Sequence, residues 1–408
     1  MPEPRHPRAL IPASRYTSAE WAARENARLW PRVWLFAGLG SDVLHPGERL
    51  VLDVGTQSAV VVRGDDGRLR AFHNVCRHRG ARLCENGEGH ARTLRCPYHH
   101  WTWKTDGKLL SWPDGTHFAD PPGDVALLEV ACEERHAAIW VCLGQPAVPI
   151  DAFLAPVADT LQRFRLDRWV RSDDISLAVA ANWKTSADVS NESYHIRTLH
   201  PEVLPLVNDV AVPVEPLGPH TRMVAHFGAP SPHMPASAPF DETMRAWQQS
   251  LGLDPPLDPR APHLRERLQK ALRALGQARR MPWDMLMDAE LLANTQLNLF
   301  PNTQLNLYAH RIQVYRHRPE GQDPGQMVFD QIAYRPLADD EIRPALPPPK
   351  IGDARTAAQG SMMAADLAMV LRLQRGMASA ACDGLRLTAE EQAIAHLHAA
   401  LDEWMADA

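Results

Sequence analysis

The alternation of apolar and polar residues changes character about one third of the way along the chain. Between Val33 and Leu143, short runs alternate with a period of two and are separated by turn sequences such as Asp65-Asp66-Gly67. That pattern is typical of antiparallel hairpins. From about residue 150 the runs lengthen, and helical spacing alternates with strand spacing. The pattern predicts a small antiparallel β domain followed by a larger domain of the α+β class.

The same pattern places the individual elements. Ser18 is a plausible N-cap for the first helix, and Pro31 ends it. Helices are predicted at 17–30, 151–163, 183–199 and 261–280, with two more within 355–407. Strands are predicted at 49–54, 58–62, 68–74, 93–95, 101–103, 108–110, 129–132, 138–143 and 169–181, with loops and strands over 203–242 and three strand-like runs within 291–335.

A short repeat stands out in the second half. Asn294-Thr295-Gln296-Leu297-Asn298-Leu299 is followed, after Phe300-Pro301, by Asn302-Thr303-Gln304-Leu305-Asn306-Leu307. Similar alternation on two consecutive strands would explain it, and the sequence assigns it no function.

Length, charge and cysteine content narrow the class of protein. A chain of 408 residues is long enough for two domains. Its formal net charge of −6 argues against nucleic-acid binding, and no apolar run is long enough to span a membrane. The N-terminus lacks the apolar core of a signal peptide. Six cysteines are too few for a disulfide framework, so the expected location is the cytoplasm.

The first chemical motif lies in the β domain. Cys76-Arg77-His78 and Cys96-Pro97-Tyr98-His99 each place one cysteine beside one histidine. Two thiolates and two imidazoles suit either a tetrahedral zinc ion or a [2Fe-2S] cluster with two sulfur and two nitrogen ligands. Mixed zinc sites usually pair cysteine with cysteine and histidine with histidine. One of each in both loops favours the cluster over zinc.

The second motif follows Asn182-Trp183-Lys184. On a helix, Glu192 and His195 share a face, whereas His195 and His200 lie about 140° apart. Both histidines reach one metal only if the helix ends or deforms between them, and Pro201 favours an end near His200. Two imidazoles and a remote carboxylate would form the facial triad of oxygen-activating iron(II) enzymes.

With both motifs present, the chain resembles the α (catalytic) subunit of Rieske non-haem iron oxygenases. The resemblance implies a [2Fe-2S] cluster, a mononuclear Fe(II), and a helix-grip catalytic domain in which an antiparallel sheet wraps a long helix. It divides the chain into an N-terminal helical segment packed on the catalytic domain (1–35), a Rieske domain (36–146) and a catalytic domain (147–408).

The resemblance also assigns ligands residue by residue. Those of the cluster are Cys76, His78, Cys96 and His99. For the mononuclear iron the family pattern points to His195 and His200, with a late aspartate before a Gln-x-Gly sequence. Asp366 precedes Gln374-Arg375-Gly376 at the usual interval, although Ala365 stands where the family often has glutamate. Asp353 is the alternative.

Glu192 corresponds to the family's electron-bridging carboxylate. In a homotrimer it would link His99 or His78 of one subunit to His195 of the next. Asp188, one helical turn earlier, stands where asparagine is common. Asp188 is expected either to tune the charge of Glu192 or to be simply solvated. It is the second candidate for the electron bridge if Glu192 is not the bridge.

The implied activity is that of a terminal oxygenase. It would insert oxygen from O2 into an aromatic or other apolar ring by hydroxylation, dihydroxylation or oxidative demethylation. No Gly-rich dinucleotide fingerprint is present, so electrons would come from a separate NAD(P)H-dependent reductase, with or without a ferredoxin. A β subunit is left open. The alternatives are a monooxygenase of a small quaternary amine and, in another class, an electron-transfer protein without catalysis.

Overall fold

The computed structural model describes residues 10–85, 89–113, 124–354 and 361–406, without the side chains of 89 and 90. The described strands are β1 (Ile11–Pro12), β2 (Leu35–Leu39), β3 (Glu48–Val54), β4 (Gln57–Arg63), β5 (Leu69–His73), β6 (Gly89–His90), β7 (Thr93–Arg95), β8 (Thr102–Lys104), β9 (Leu109–Ser111), β10 (Glu129–Arg135), β11 (Ala138–Cys142), β12 (Trp169–Val179), β13 (Val214–Leu217), β14 (His220–His226), β15 (Ala293–Leu299), β16 (Thr303–Leu307), β17 (Ile312–Pro319), β18 (Met327–Pro336), β19 (Lys350–Asp353) and β20 (Gly384–Leu385). The described α-helices are α1 (Ser14–Thr17), α2 (Ala19–Arg24), α3 (Ile150–Leu154), α4 (Ala158–Arg163), α5 (Trp183–Ser190), α6 (Ile196–Leu199), α7 (Phe240–Ser250), α8 (Leu264–Ala278), α9 (Met362–Met377) and α10 (Gln392–Met405).

The first domain is built on a seven-stranded antiparallel sheet in the order β2-β11-β10-β5-β4-β3-β6, with a three-stranded sheet β7-β8-β9 beside it. Strand β4 has four consecutive buried residues, Ala59 to Val62, because both faces of the sheet are covered. Ala59 and Val61 join the large core shared with the second domain. Val60 and Val62 join a separate small core that contains Cys76 and Cys96. The predicted hairpins of this region are confirmed.

The second domain is built on an eight-stranded sheet in the order β13-β14-β15-β16-β17-β18-β12-β19. All its neighbouring strands are antiparallel except β19, which runs parallel to β12 at one edge. The region 291–335 holds four strands rather than the expected three, because the Phe300-Pro301 turn separates the two halves of the repeat into β15 and β16. Helix α7 begins at the end of the region predicted as loops and strands (203–242), and the sequence did not predict it.

The N-terminal helix departs from the prediction of one helix over 17–30. Ser18 is the expected N-cap, since its side chain accepts the backbone N–H of Trp21. Ser18 itself has extended backbone angles, so α1 ends before it and α2 starts after it. After α2 the chain continues as a π-helical segment, Glu25–Leu29.

A buried aspartate holds the two sheets together. Asp330 accepts hydrogen bonds from the guanidinium groups of Arg316 (2.9 Å) and Arg318 (2.6 and 2.8 Å). Each arginine donates a further bond to a backbone carbonyl of the first domain: Arg316 to Ala37 and Arg318 to Asp53, both 2.9 Å. These bonds fix the small sheet against the large one. The exact domain boundaries at 35 and 146 stay predictions.

In the described part of the chain, every helix is too short or too polar to cross a bilayer.

Candidate metal sites

The first cysteine–histidine loop follows β5 and is closed by its own backbone. The Cys76 N–H donates to the Ala81 carbonyl (2.8 Å), and the Gly80 N–H donates to the Cys76 carbonyl (3.0 Å). Asn74, which precedes the loop, ties its start to Cys84. The side-chain oxygen of Asn74 accepts the Cys84 N–H (2.9 Å), and its side-chain nitrogen donates to the Cys84 carbonyl (2.7 Å). Cys84 is a buried free thiol and forms no disulfide among the described residues.

The second loop repeats this geometry. The Cys96 N–H donates to the Trp101 carbonyl (2.8 Å), and the His100 N–H donates to the Cys96 carbonyl (3.1 Å). The hydrogen bonds have the same sequence spacing as those around Cys76. Two loops of one geometry therefore face each other, as the matching motifs indicate.

The four candidate ligands of the two loops converge. The rings of His78 and His99 lie 4.8 Å apart, and Trp101 stacks on His78 at 4.8 Å. Burial raises the pKa of the Cys76 thiol and the neighbouring Cys96 raises it further, so the two sulfurs lie together. Nδ1 of His99 is buried without a hydrogen-bond partner among the described residues. Two sulfurs and two imidazoles gathered in this way fit a [2Fe-2S] cluster, and their ligand roles stay predictions.

The segment carrying the second motif begins with helix α5, whose N-terminus is held by hydrogen bonds to two side chains. The side chain of Asn182 accepts the Lys184 N–H (3.0 Å) as the N-cap of α5. Gln374 accepts bonds from the Asn182 N–H (3.0 Å) and the Thr185 hydroxyl (2.9 Å), and it donates to the Tyr16 carbonyl (3.2 Å). The glutamine of Gln-x-Gly thus clamps α9 to the start of α5 and to the N-terminal segment.

A buried ion pair lies beneath the same helix. Lys184 is fully buried, and its Nζ donates to Glu25 Oε1 at 2.6 Å. Glu25 also accepts the indole N–H groups of Trp183 and Trp21, each at 3.0 Å. Burial lowers the pKa of Lys184, although the carboxylate of Glu25 opposes that shift. The N-terminal segment is therefore attached to the helix that leads to the candidate ligands.

Helix α5 ends at Ser190, so the expectation of one helix over 183–199 is wrong. The Asn191 N–H bonds back to Asp188 with the tighter spacing of a helix terminus, and a separate short helix, α6, starts at Ile196. The break lies before His195, whereas the sequence placed it near His200.

Glu192 and His195 form a closed unit within this break. One carboxylate oxygen of Glu192 accepts the His195 backbone N–H (2.9 Å), and the other accepts the Nδ1–H of the His195 ring (2.5 Å). Burial lowers the pKa of His195, but the hydrogen bond and charge of Glu192 outweigh it, so the net shift is upward. Since Nδ1 is engaged, Nε2 is the ring atom left to bind a metal.

The structure brings together His195, His200 and Asp366. One candidate ligand atom from each lies within 4.8 Å of the others. Asp366 Oδ1 is 2.6 Å from Nε2 of His200 and 3.8 Å from Nε2 of His195. Two imidazole nitrogens and one carboxylate fit a mononuclear Fe(II) with open positions. Asp353, the alternative, lies on β19 and is not part of this group.

Asp188 is buried rather than solvated. It accepts the Tyr16 hydroxyl at 2.6 Å and lies 3.5 Å from Nε2 of His398, which is itself 2.9 Å from that hydroxyl. Burial and the charge of Asp188 raise the pKa of Tyr16. These contacts couple Asp188 to the N-terminal segment and α10, and the structure shows no bond from it to Glu192 among the described residues.

The sequence analysis missed an aromatic group that is assembled from distant parts of the catalytic domain. Phe227 stacks on Trp247 (5.8 Å between centroids) and approaches Tyr308 (6.0 Å), over which the Arg311 guanidinium lies at 4.7 Å. Burial raises the pKa of Tyr315, and the charges of Tyr308 and Asp366 add to that rise. The stretch 203–285 supplies Phe227 and Trp247 to this group, whereas Tyr308 comes later in the chain, from the connection between β16 and β17.

Comparisons with known families agree with both motifs. A model of the Rieske [2Fe-2S] domain matches residues 33–122. A model of the ring hydroxylating alpha subunit (catalytic domain) matches residues 166–407.

Curated relatives match over part of their length. The glycine betaine monooxygenase oxygenase subunit of Chromohalobacter salexigens is 34% identical over 194 residues, which is 48% of this chain and 44% of that protein. The carnitine monooxygenase oxygenase subunit of Escherichia coli is 31% identical over 199 residues, which is 47% of this chain and 52% of that protein. The matched segment thus spans about half the length of these relatives.

Solved structures resemble the whole chain. A quaternary ammonium Rieske monooxygenase in complex with L-carnitine has a TM-score of 0.69 at 19% identity, covering 97% of this chain and 96% of that chain. Naphthalene 1,2-dioxygenase from Rhodococcus sp. has a TM-score of 0.67 at 17% identity, covering 97% and 94%. At these identities the likeness shows the fold, and it confirms the α+β architecture of a Rieske domain joined to a catalytic domain.

Proposed function

The chain belongs to the family of ring-hydroxylating oxygenase α subunits that carry a Rieske [2Fe-2S] domain, and on that premise we propose that it is the terminal oxygenase of a system acting on a small quaternary amine. This is the second of the substrate classes expected from the sequence. A ring substrate is the alternative that the same experiment distinguishes.

The convergence of His195, His200 and Asp366 carries the catalytic part of the proposal. An electron carrier needs only the four cluster ligands, and it has no use for a second set of donors held within 4.8 Å. The closed Glu192–His195 unit adds to this argument, because a carboxylate that fixes the tautomer of a histidine is characteristic of metal ligation.

Bound iron would supply one-electron storage in the first domain and reductive activation of O2 in the second. The chain's own residues hold and orient these centres. Glu192 fixes the His195 ring and presents a carboxylate that is only 10% exposed in the single chain. We assign Glu192 the role of the electron bridge to the cluster of a neighbouring subunit in a homotrimer, with His78 or His99 as its partner there.

The aromatic group supports the substrate class. Phe227 and Trp247 stack on each other and Phe227 approaches Tyr308, so aromatic rings of the kind that attract a quaternary ammonium cation are gathered there. Arg311, whose guanidinium lies over the Tyr308 ring, could bind a carboxylate on the same substrate. The names of the glycine betaine and carnitine monooxygenase subunits agree with such a ligand.

The reaction has a simple balance. An N-methyl C–H bond and O2, with two electrons and two protons, give an N-hydroxymethyl group and water. The C–N bond of that group then breaks, which releases formaldehyde and a proton and leaves a neutral tertiary amine. The electrons come from NAD(P)H through a separate reductase.

The test uses the full chain reconstituted with iron and sulfide, a surrogate reductase and NADH. We expect oxygen uptake with formaldehyde release from betaine-type amines, and no hydroxylated product from aromatic rings. His195→Ala should remove the mononuclear iron and product formation while the visible spectrum of the cluster persists. Product from aromatic rings alone would refute the substrate class, and product formation by His195→Ala would refute the catalytic assignment.

A further inference from the structure

The unexplained Asn-Thr-Gln-Leu-Asn-Leu repeat forms the facing strands β15 and β16. Gln296 lies opposite Asn306, and Asn298 lies opposite Gln304. Directly paired residues of an antiparallel sheet point to the same face. The amides of both halves therefore share one face, while Leu297, Leu299, Leu305 and Leu307 fill the core on the other.

Two of these amides converge on one atom. The Nε2 groups of Gln296 and Gln304 each donate to the carbonyl oxygen of Ser190 at 2.9 Å. Ser190 is the last residue of α5, and a carbonyl at a helix end has no partner within the helix. A carbonyl oxygen can accept two bonds, so these two glutamines occupy both positions.

The Ser190 carbonyl lies immediately before the candidate iron ligands in the chain. Glu192 comes two residues after Ser190, and His195 lies in the same break between α5 and α6. If α5 continued as a regular helix, His195 and His200 would point about 140° apart. The break is what allows both rings to approach Asp366, as observed.

We propose that Gln296 and Gln304 are positioning residues that end α5 at Ser190 and thereby place Glu192 and His195 for metal binding. This inference rests on the proposed function, since it concerns the same iron site. It gives the repeat a role: equivalent positions in its two halves supply the two donors to one carbonyl.

The two glutamines are not equivalent in the rest of their contacts. Gln296 also donates to the side chain of Asn298 (3.0 Å), which in turn donates to the Thr221 hydroxyl (2.8 Å). The side-chain oxygen of Gln304 is buried without a hydrogen-bond partner among the described residues. Gln304 thus donates to the Ser190 carbonyl while its own side-chain oxygen stays buried without a hydrogen bond. Because such an oxygen is unfavourable, the N–H group is the part of this side chain that the structure uses.

The test measures iron affinity rather than turnover. Gln296→Met and Gln304→Met retain side-chain length but remove the donors, singly and together. We expect each single variant to weaken Fe(II) binding at the mononuclear site by no more than about threefold, because one donor remains. The double variant should weaken it by about tenfold or more, the usual effect of losing the groups that orient a ligand. Equilibrium dialysis with metal analysis gives the affinity, and the visible spectrum shows whether the cluster is intact.

Asn294→Leu is the matched control. Asn294 lies in the same repeat and donates to Asn306 at 3.0 Å, without contacting Ser190. It should keep wild-type iron affinity, and its Tm should equal that of the double variant within about 2 °C. An equal loss of affinity in the control, or wild-type affinity in the double variant, would overturn the inference.

Hydrogen exchange provides a second measurement if the double variant does not fold. Each single variant should speed exchange of the backbone N–H groups of residues 191–195 by about threefold or more, and the control should not. Unchanged exchange in both single variants would also overturn the inference. If wild-type protein takes up no iron at this site, the proposed function fails instead, so the two failures are distinguishable.

Discussion

The buried pair of Glu25 and Lys184 gives the sharpest test of how the structure is held together. Glu25→Gln keeps the shape of the side chain, but its single oxygen can replace only one of the two carboxylate oxygens that accept the indole N–H groups of Trp21 and Trp183. The variant also leaves the Lys184 ammonium without its hydrogen-bonded counter-charge. Removing one partner of a buried ion pair typically costs about 3–5 kcal/mol. Lys184 is fully buried and its charge has no route to solvent, so the upper part of that range applies.

Lys184 can avoid this cost by losing its proton, so the cost of deprotonation is the upper limit of the destabilisation caused by the unpaired charge. Releasing a proton from an ordinary lysine, whose pKa is about 10.5, costs about 5 kcal/mol at pH 7 and about 2 kcal/mol at pH 9. In the variant, the folded pKa of Lys184 is depressed below that of the unfolded chain. The unfolded chain then binds more protons, so stability rises with pH. The charge-related loss should therefore shrink between pH 7 and pH 9.

The assay is urea unfolding followed by tryptophan fluorescence at both pH values. The double variant Glu25→Gln/Lys184→Met removes the stranded charge, and we expect it to recover more than half of the loss at pH 7. A Glu25→Gln defect that is equal at pH 7 and pH 9, or a double variant less stable than the single, would refute the reasoning.

Three other contacts can be tested in the same way. Asp330→Asn should lower the free energy of unfolding by about 3–5 kcal/mol. Burial raises the pKa of Asp330, but its two arginine partners outweigh burial and hold that pKa well below its usual range. Wild-type stability should therefore fall at pH values below about 4, whereas the variant should not show this acid-dependent loss. Tyr308→Leu should raise KM for a betaine-type amine by about 2–30-fold with little change in kcat, because one cation–π contact is lost. Glu192→Gln should slow oxidation of the reduced cluster by O2 in the presence of substrate by about 10–100-fold, measured by stopped-flow absorbance, with the trimer intact by light scattering.

Each of these predictions has a contrasting variant. Exposed Asp383 pairs with Arg386 at the surface, where solvent screens the charges, so Asp383→Asn should leave the free energy of unfolding nearly unchanged. Phe240→Leu removes a ring that faces Arg260 outside the aromatic group, and it should leave KM unchanged. Asp188→Asn tests the second choice of bridge: if it slows cluster oxidation more than Glu192→Gln does, the bridge is misassigned. A monomeric wild-type protein would contradict the trimer.

The sequence alone determined the chemistry that the chain carries. Cysteine and histidine in each of two short loops, and a glutamate, two histidines and a proline after Asn-Trp-Lys, are local patterns. Their short spacing limits which side chains can approach each other, because residues a few positions apart in the chain stay close together in any fold. The hairpins of the first domain are also local, and the alternation around Asp65-Asp66-Gly67 predicted them with nearly the observed bounds.

Only the tertiary structure decided where α5 ends, which rings form the aromatic group and what the repeat does. A helix end depends on which groups bond its last carbonyls, and here the donors are Gln296 and Gln304, more than a hundred residues away. The aromatic group likewise joins Phe227 and Trp247 to Tyr308, which lies between β16 and β17. Contacts between such distant segments depend on sheet register and packing, which no local pattern of residues specifies.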